Sequence, residues 1–289
     1  MIVERARSAL SSGALQPIAT ENRALDDHGV RFEIRIVSSL MRKRADGQGR
    51  WPSAARAATR ANPLLPYEKE LFVADVSDTH LCLLNKYNVI DHHVLIVTRA
   101  FEPQQNLLTL ADFDALWACM SEYDALGFYN SGPVAGASQP HKHLQLVPLP
   151  LSSATPDIAL SVLFDPSPPT GEPTRIARLP FVHAFAWLDP ASRLSTGQAA
   201  RTHLLYGKML AAAGIDPGGS PPRPYNLLVT RRFMLLIPRR RERFADMSVN
   251  ALGFAGSFFV SNRAGLDSIR RTGPMEFLKQ VSFATPVED

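Results

Sequence analysis

His141, His143 and Gln145 alternate along the run Ser138-Gln139-Pro140-His141-Lys142-His143-Leu144-Gln145-Leu146-Val147-Pro148. Prolines bracket the run and apolar residues alternate through it, which predicts a strand. Successive side chains on a strand point to opposite faces, so His141, His143 and Gln145 share one side while Leu144 and Leu146 anchor the other. Three lone-pair-bearing groups in a row on a rigid strand fit an active site. An imidazole placed there can serve as a nucleophile, being neutral near pH 7, or as a metal ligand. The metal reading needs a third ligand; His93 and His183 are available, and neither lies at a diagnostic spacing. Immediately upstream, Tyr129-Asn130-Ser131-Gly132-Pro133-Val134-Ala135-Gly136-Ala137-Ser138-Gln139 is rich in small residues. Such a loop lets a ligand approach the backbone closely, where exposed N–H groups can cradle phosphate. Joined to the histidine strand, it reads as a phosphate-binding loop beside a nucleophile.

The elements that must position these residues are legible in part. The first dozen residues predict a short helix ending near Gly13. Val30 to Leu40 alternates as a half-buried strand should. Residues 44 to 62 carry no strand period and read as a basic loop or weak helix, with Trp51 a surface residue. Strands are expected at Leu71-Phe72-Val73-Ala74, His80 to Leu84 and Val94 to Thr98, with a polar turn from Asn85 to His93 between the last two. In that turn His92 and His93 read as packed, structural groups. Thr109 to Leu126 predicts a helix with a Thr109–Asp112 capping box and a buried stripe of Leu110, Phe113, Leu116, Trp117 and Met120. Residues 150 to 174 read as a Pro/Ser/Thr-rich connector, Phe181 to Leu188 as a strand, and Thr196 to Ala213 as a helix. Gly218-Gly219 sits in a flexible linker over 217 to 224, followed by a hairpin from Asn226 to Pro238 through Arg231-Arg232. The expected class is α+β, with a largely antiparallel central sheet flanked by helices.

The chain has 289 residues, 45% of them hydrophobic and 20% charged, which is the composition of an ordinary globular protein. A formal charge of +4 is too small to indicate nucleic-acid binding and suits an anionic small molecule. Cys82 and Cys119, with no CxxC spacing, predict neither a disulfide framework nor a thiolate zinc site, so a cytoplasmic location is expected. No apolar run reaches the roughly 20 residues of a membrane span, and no signal peptide is evident.

Three segments together resemble the ATP adenylyltransferases, or diadenosine tetraphosphate phosphorylases, of the histidine-triad superfamily. They are NPLLPYEKELFVADVSDTHLCLLNKYNVIDHHVLIVTR from Asn62, FYNSGPVAGASQPHKHLQLVP from Phe128 and YNLLVTRRFMLLIPR from Tyr225. The resemblance implies a histidine-triad-like nucleotidyltransferase core over 1–170 with its N-terminal elements, and a C-terminal segment over 171–289 completing the same globular unit. It implies phosphorolysis of diadenosine tetraphosphate to ATP and ADP through a nucleotidyl-histidine, with His143 as nucleophile and His141 contacting or orienting the phosphate and nucleophile from the same face. Gln145 stands where hydrolytic members carry another histidine; an amide cannot shuttle a proton, so transfer is favoured over hydrolysis. Asn130, Gly136, Ala137, Ser138 and Gln139 are expected around the phosphates, with the Gly136 amide among the donors. Asn85 and Lys86 are expected near ribose and phosphate, Lys43 (flanked by Arg42 and Arg44) at the polyphosphate, and Asn226 and Arg239 as further contacts. Arg239 to Arg243 also reads as a solvated basic face. Mg²⁺ is expected to travel with the nucleotide rather than in a protein cage. The expected partners are diadenosine tetraphosphate, ATP, ADP and phosphate, with no nucleic acid and no membrane. Two rival readings remain: a hexose-1-phosphate uridylyltransferase of the same superfamily, and a catalytically silent nucleotide sensor.

Overall fold

The computed structural model describes residues 1–37, 62–151, 157–168, 170–189 and 197–285. Lys43, Arg42, Arg44 and Trp51 lie outside the described residues. In chain order the elements are α1 (Ile2–Ser11), β1 (Thr20–Asp27), β2 (Val30–Val37), β3 (Phe72–Asp75), β4 (His80–Leu84), β5 (Val94–Thr98), α2 (Leu110–Glu122), β6 (Ala125–Asn130), β7 (His143–Pro148), β8 (Ala184–Trp187), α3 (Gln198–Ala212), β9 (Tyr225–Val229) and β10 (Phe233–Pro238). They continue with β11 (Arg243–Phe244), β12 (Met247–Ser248), α4 (Ala251–Phe254), β13 (Ser257–Val260), α5 (Arg263–Thr272) and α6 (Pro274–Val281).

Eight strands form one sheet in the order β3-β4-β5-β7-β6-β9-β10-β8, every neighbouring pair antiparallel. Strands from both sides of residue 170 therefore share one ladder. Strands β4, β5, β9 and β10 are buried at every position, which is why they read as continuous apolar runs rather than alternating ones. A second sheet, β1-β2-β13, has β13 parallel to β2.

Each face of the large sheet packs differently. Leu144 and Leu146 join Val94, Ile96 and Cys82 in a core with Phe113, Leu116, Trp117 and Met120 of α2 and with α3. Leu110 departs from the expected stripe and is exposed, at the first position of the helix just past the Thr109 cap. On the other face, Phe128, Val147, Leu228, Leu235 and Ile237 meet β2, β13 and the C-terminal helices. Farther along that face, Leu81, Leu83, Leu95 and Val97 form a separate small cluster with Leu64. The polar residues of β7 lie between these two apolar patches. The expected connector over 150 to 174 contributes more than a link: Ile158, Leu160, Leu163 and Phe164 are buried in the second core.

Candidate active site

Only His143 and Gln145 of the three alternating residues lie in β7; His141 precedes it, bridged to Pro103. Both ring nitrogens of His141 are engaged. Nε2–H donates to the Thr98 carbonyl at 2.8 Å, and Nδ1 accepts from Asn62 Nδ2 at 2.9 Å. A fully buried imidazole with both ring nitrogens engaged is a fixed anchor.

That anchor presents its own carbonyl to the next histidine. Nδ1–H of His143 donates to His141 O at 2.8 Å, which sets the neutral tautomer with its lone pair on Nε2. His143 Nε2 makes no hydrogen bond among the described residues. Burial pushes the His143 pKa down to about 4, the His141 carbonyl opposing that shift and the His141 ring adding to it. The imidazole is therefore neutral at pH 7, as a nucleophile must be.

Gln145 is oriented from behind. His93 Nε2–H donates to Gln145 Oε1 at 3.0 Å, and Asn85 Nδ2 donates to His93 Nδ1 at 3.1 Å. With its oxygen taken, Gln145 offers its NH₂ group, a pure donor. Burial lowers His93 to about 4 despite the Gln145 bond, and the nearby His143 ring lowers it further. Asn85 thus joins the site through His93, while neighbouring Lys86 pairs with Glu68 at 2.6 Å on the surface.

The small-residue loop closes tightly over β6 and β9. Gly132 and Gly136 have φ of +78° and +89°. A Cβ on Gly136 would sit 2.8 Å from Asn250 Cβ and 2.9 Å from Val249 O, so only glycine fits. The Gly136 amide donates to Pro133 O and the Ala137 amide to Gly132 O, both inside the turn. This corrects the expectation for Gly136: its amide is consumed by the turn, and what it contributes is the bend. The amides of Ser138 and Gln139 donate to no acceptor among the described residues.

Asn226 and Arg239 also differ from expectation. Asn226 Nδ2 donates to Asn130 Oδ1 at 2.8 Å and to Ala135 O at 2.9 Å, and its Oδ1 accepts from Arg239 at 2.5 Å. Arg239, 1% exposed, also donates to Ala135 O, Val249 O, Arg241 O and Val281 O. With their hydrogen-bonding groups turned inward, these two residues brace the loop instead of touching a ligand. Burial lowers Arg239 to about 9 against the opposing pull of Glu242. Asn130 Oδ1 accepts from Asn226 and from the Ala251 amide, which leaves its NH₂ for the site.

Two features carried no local sequence signal. Gln104, 2% exposed, bonds both main-chain groups of His143. On the opposite side of the strand, Lys142 is buried and reaches Asp112 Oδ2 at 2.6 Å and Glu102 Oε2 at 3.1 Å, while His80 Nε2–H reaches Asp112 Oδ1 at 3.1 Å. Burial raises the Asp112 carboxyl, but His80 and Lys142 outweigh it and the pKa falls to about 2. Among the described residues no three His, Cys, Asp or Glu side chains converge on a metal position. Among those residues, too, no helix is long and apolar enough to cross a membrane.

Comparison with known proteins places this geometry. Residues 1–166 match the family model for the Ap4A phosphorylase N-terminal domain, and residues 177–284 that for the ATP adenylyltransferase C-terminal domain. Protein APA1 of Saccharomyces cerevisiae is 27% identical over 287 residues, spanning 91% of this chain and 86% of that protein. Diadenosine 5',5'''-P1,P4-tetraphosphate phosphorylase 2 of the same yeast is 27% identical over 207 residues, 65% of this chain and 64% of that one. The crystal structure of yeast Ap4A phosphorylase Apa2 superposes with a TM-score of 0.80 at 22% identity, covering 98% of this chain and 96% of that one. The same enzyme in complex with Ap4A superposes with a TM-score of 0.75. The chain belongs to the Ap4A phosphorylase family, which joins that N-terminal domain to an ATP adenylyltransferase C-terminal domain.

Proposed function

We propose that the protein cleaves diadenosine tetraphosphate with inorganic phosphate to ATP and ADP, reversibly, through an adenylyl group carried on His143. The observation that carries this reading is the His143 tautomer: Nδ1–H is tied to a main-chain carbonyl, so Nε2 alone is free to attack. In the first step Nε2 attacks an α-phosphorus, the N–P bond forms, and the bond to the β-phosphate oxygen breaks to release ATP. The ring keeps its Nδ1 proton, and the His141 carbonyl stabilises the charge the adduct gains. In the second step a phosphate oxygen attacks the same phosphorus, the N–P bond breaks and ADP leaves. Each step exchanges one activated phosphorus linkage for another, which makes the reaction reversible.

Charge on the transferring phosphoryl oxygens needs preorganised donors, and these supply most of the catalysis in such chemistry. The Ser138 and Gln139 amides, the Asn130 NH₂ and the Gln145 NH₂ are the donors this chain provides. ATP leaves as a weak base and phosphate arrives ionised, so neither step requires a proton relay. We assign Asn85 to the His93–Gln145 chain, Lys86 to the neighbourhood of the ribose and phosphate, and Lys43 to the polyphosphate. Mg²⁺ would accompany the polyphosphate, screening its charge, since the donors at the site are amides and imidazoles rather than the carboxylates this ion prefers.

The test is product analysis. Purified protein incubated with diadenosine tetraphosphate and Mg²⁺ should give ATP and ADP with phosphate present, and little AMP without it. Rapid phosphate-independent release of AMP would replace this reading with hydrolysis, and absence of any turnover would leave a nucleotide sensor.

A further inference from the structure

Pairing of β6 with β7 runs from Ala125 opposite Pro148 to Phe128 opposite Gln145 and then stops. Asn130 keeps its partner Asn226 on β9, at the other edge of β6, and has none on β7. His143 therefore faces no β6 peptide, although a residue in an antiparallel ladder exchanges both main-chain bonds with a neighbour. The Gln104 side chain fills that gap. Its Oε1 accepts from His143 N at 2.8 Å, and its Nε2 donates to His143 O at 3.1 Å and to Asn130 O at 3.0 Å. A carboxamide is chemically a peptide group, and here it makes the bonds of the missing rung while joining the two splayed strands.

Gln104 is itself tightly fixed. Its N–H donates to Pro140 O at 2.8 Å, and its carbonyl accepts from Tyr129 Oη at 2.6 Å. Two residues earlier, Glu102 O accepts from the Lys142 amide at 2.8 Å, and Pro103 bridges to His141. Residues 102–104 thus run as a strap beside 140–143, stepping in where β6 departs. The same strap is bridged to His141 through Pro103, and the His141 carbonyl accepts the His143 ring proton.

We propose that Gln104 is a positioning residue for the nucleophile: its carboxamide replaces the absent β6 peptide at His143 and thereby holds that ring in the Nδ1–H form with Nε2 presented to the α-phosphorus. The inference rests on the reading of His143 as nucleophile. Gln104 touches no reacting atom, so it acts through geometry alone. Misplacing a reacting atom by about 1 Å can cost roughly 100-fold in rate.

Two substitutions separate the parts. Gln104→Glu keeps an acceptor for His143 N but loses the donor to His143 O and Asn130 O; Gln104→Leu loses both. In the full-length protein the formation of adenylyl-histidine from diadenosine tetraphosphate would be followed by rapid quench, AMP affinity by calorimetry, and the His143 tautomer by ring nitrogen NMR, assigned with His143→Asn. Expected are a roughly 10- to 100-fold slower adenylylation in both variants, AMP affinity within about twofold, and a reduced Nδ1–H share in Gln104→Leu. A merely structural role would leave the tautomer and the rate per folded molecule unchanged, and that result overturns the inference. If both variants fail to fold, the wild-type tautomer decides: an Nε2–H ring at His143 overturns it and an Nδ1–H ring supports it. Absence of any adduct in the wild type would instead defeat the nucleophile reading, a separate failure.

Discussion

At the scale of residues, His141 and His93 fix what His143 and Gln145 can donate or accept. Burial holds His143 near a pKa of 4, well below the ordinary 6.5. The adenylylation rate should therefore stay flat as pH falls from 8 to about 5.5 and drop only as protonation of Nε2 sets in below about pH 5. A break near 6.5 in the pre-steady-state profile would show a solvated histidine instead. Gln145 supplies a second prediction. Gln145→His returns a group able to pass a proton to and from water, so AMP release in phosphate-free buffer should rise by roughly 10-fold or more. The shared face of His143 and Gln145 was legible, because the spacing sets them two positions apart on one short strand. Asn62, Gln104 and His93 were not legible as partners. They act from 79, 39 and 52 positions away, and a contact across such separations leaves no periodicity in the sequence.

At the scale of elements, the anchoring of β7 holds the buried His143 rigid. Lys142 anchors β7 to the capping box of α2 through Asp112, an ion pair with both side chains about 1% exposed. Removing one partner leaves a bare buried charge, so Lys142→Met should cost roughly 3–5 kcal/mol in urea denaturation. Adding Asp112→Asn to Lys142→Met should recover much of that loss, because neither charge then remains. The loop over residues 132 to 137 is equally constrained. Gly136→Ala would drive a methyl group into Asn250 and Val249 O, and at φ +89° it would strain the backbone as well. A fall in adenylylation of at least about 10-fold is expected, with the protein still folded, since displacement of this loop moves the Ser138 and Gln139 amides. The sequence made α2 and its cap legible through the Thr109–Asp112 spacing. Strand β1 was not: its residues Thr20–Asp27 are polar and mostly exposed, and its pairing depends on the His28-Gly29 turn, both residues at positive φ. That dipeptide is a weak cue beside Asn-Gly or Asp-Gly.

The whole molecule joins its two family segments in one antiparallel sheet, and Arg239 ties the C-terminal half to the loop over residues 132 to 137 through Ala135 and Asn226. Here too the sequence was partly readable. Arg239 lies in a run of basic residues, which predicts a solvated face, whereas the fold buries the first of them and leaves its neighbour Arg240 outside. Stability should follow the buried imidazoles. His93, His143 and His183 sit near pKa 4, lowered chiefly by burial, against 6.5 when unfolded. Between those values the unfolded chain binds more protons, so their contribution is full above about pH 6.5 and is lost as pH falls toward 4. Thermal unfolding should come roughly 5–10 °C lower at pH 4.5 than at pH 7.5. His183→Asn, which lies outside the site, should remove part of that slope. The central claim is that His143 carries the adenylyl group, and the most direct measurement is mass spectrometry of protein quenched in alkali within the first turnover on diadenosine tetraphosphate without phosphate. An AMP adduct approaching one per chain, mapped to His143 and absent in His143→Ala, is the predicted result. An adduct on another residue, or turnover by His143→Ala at the wild-type rate, would contradict it.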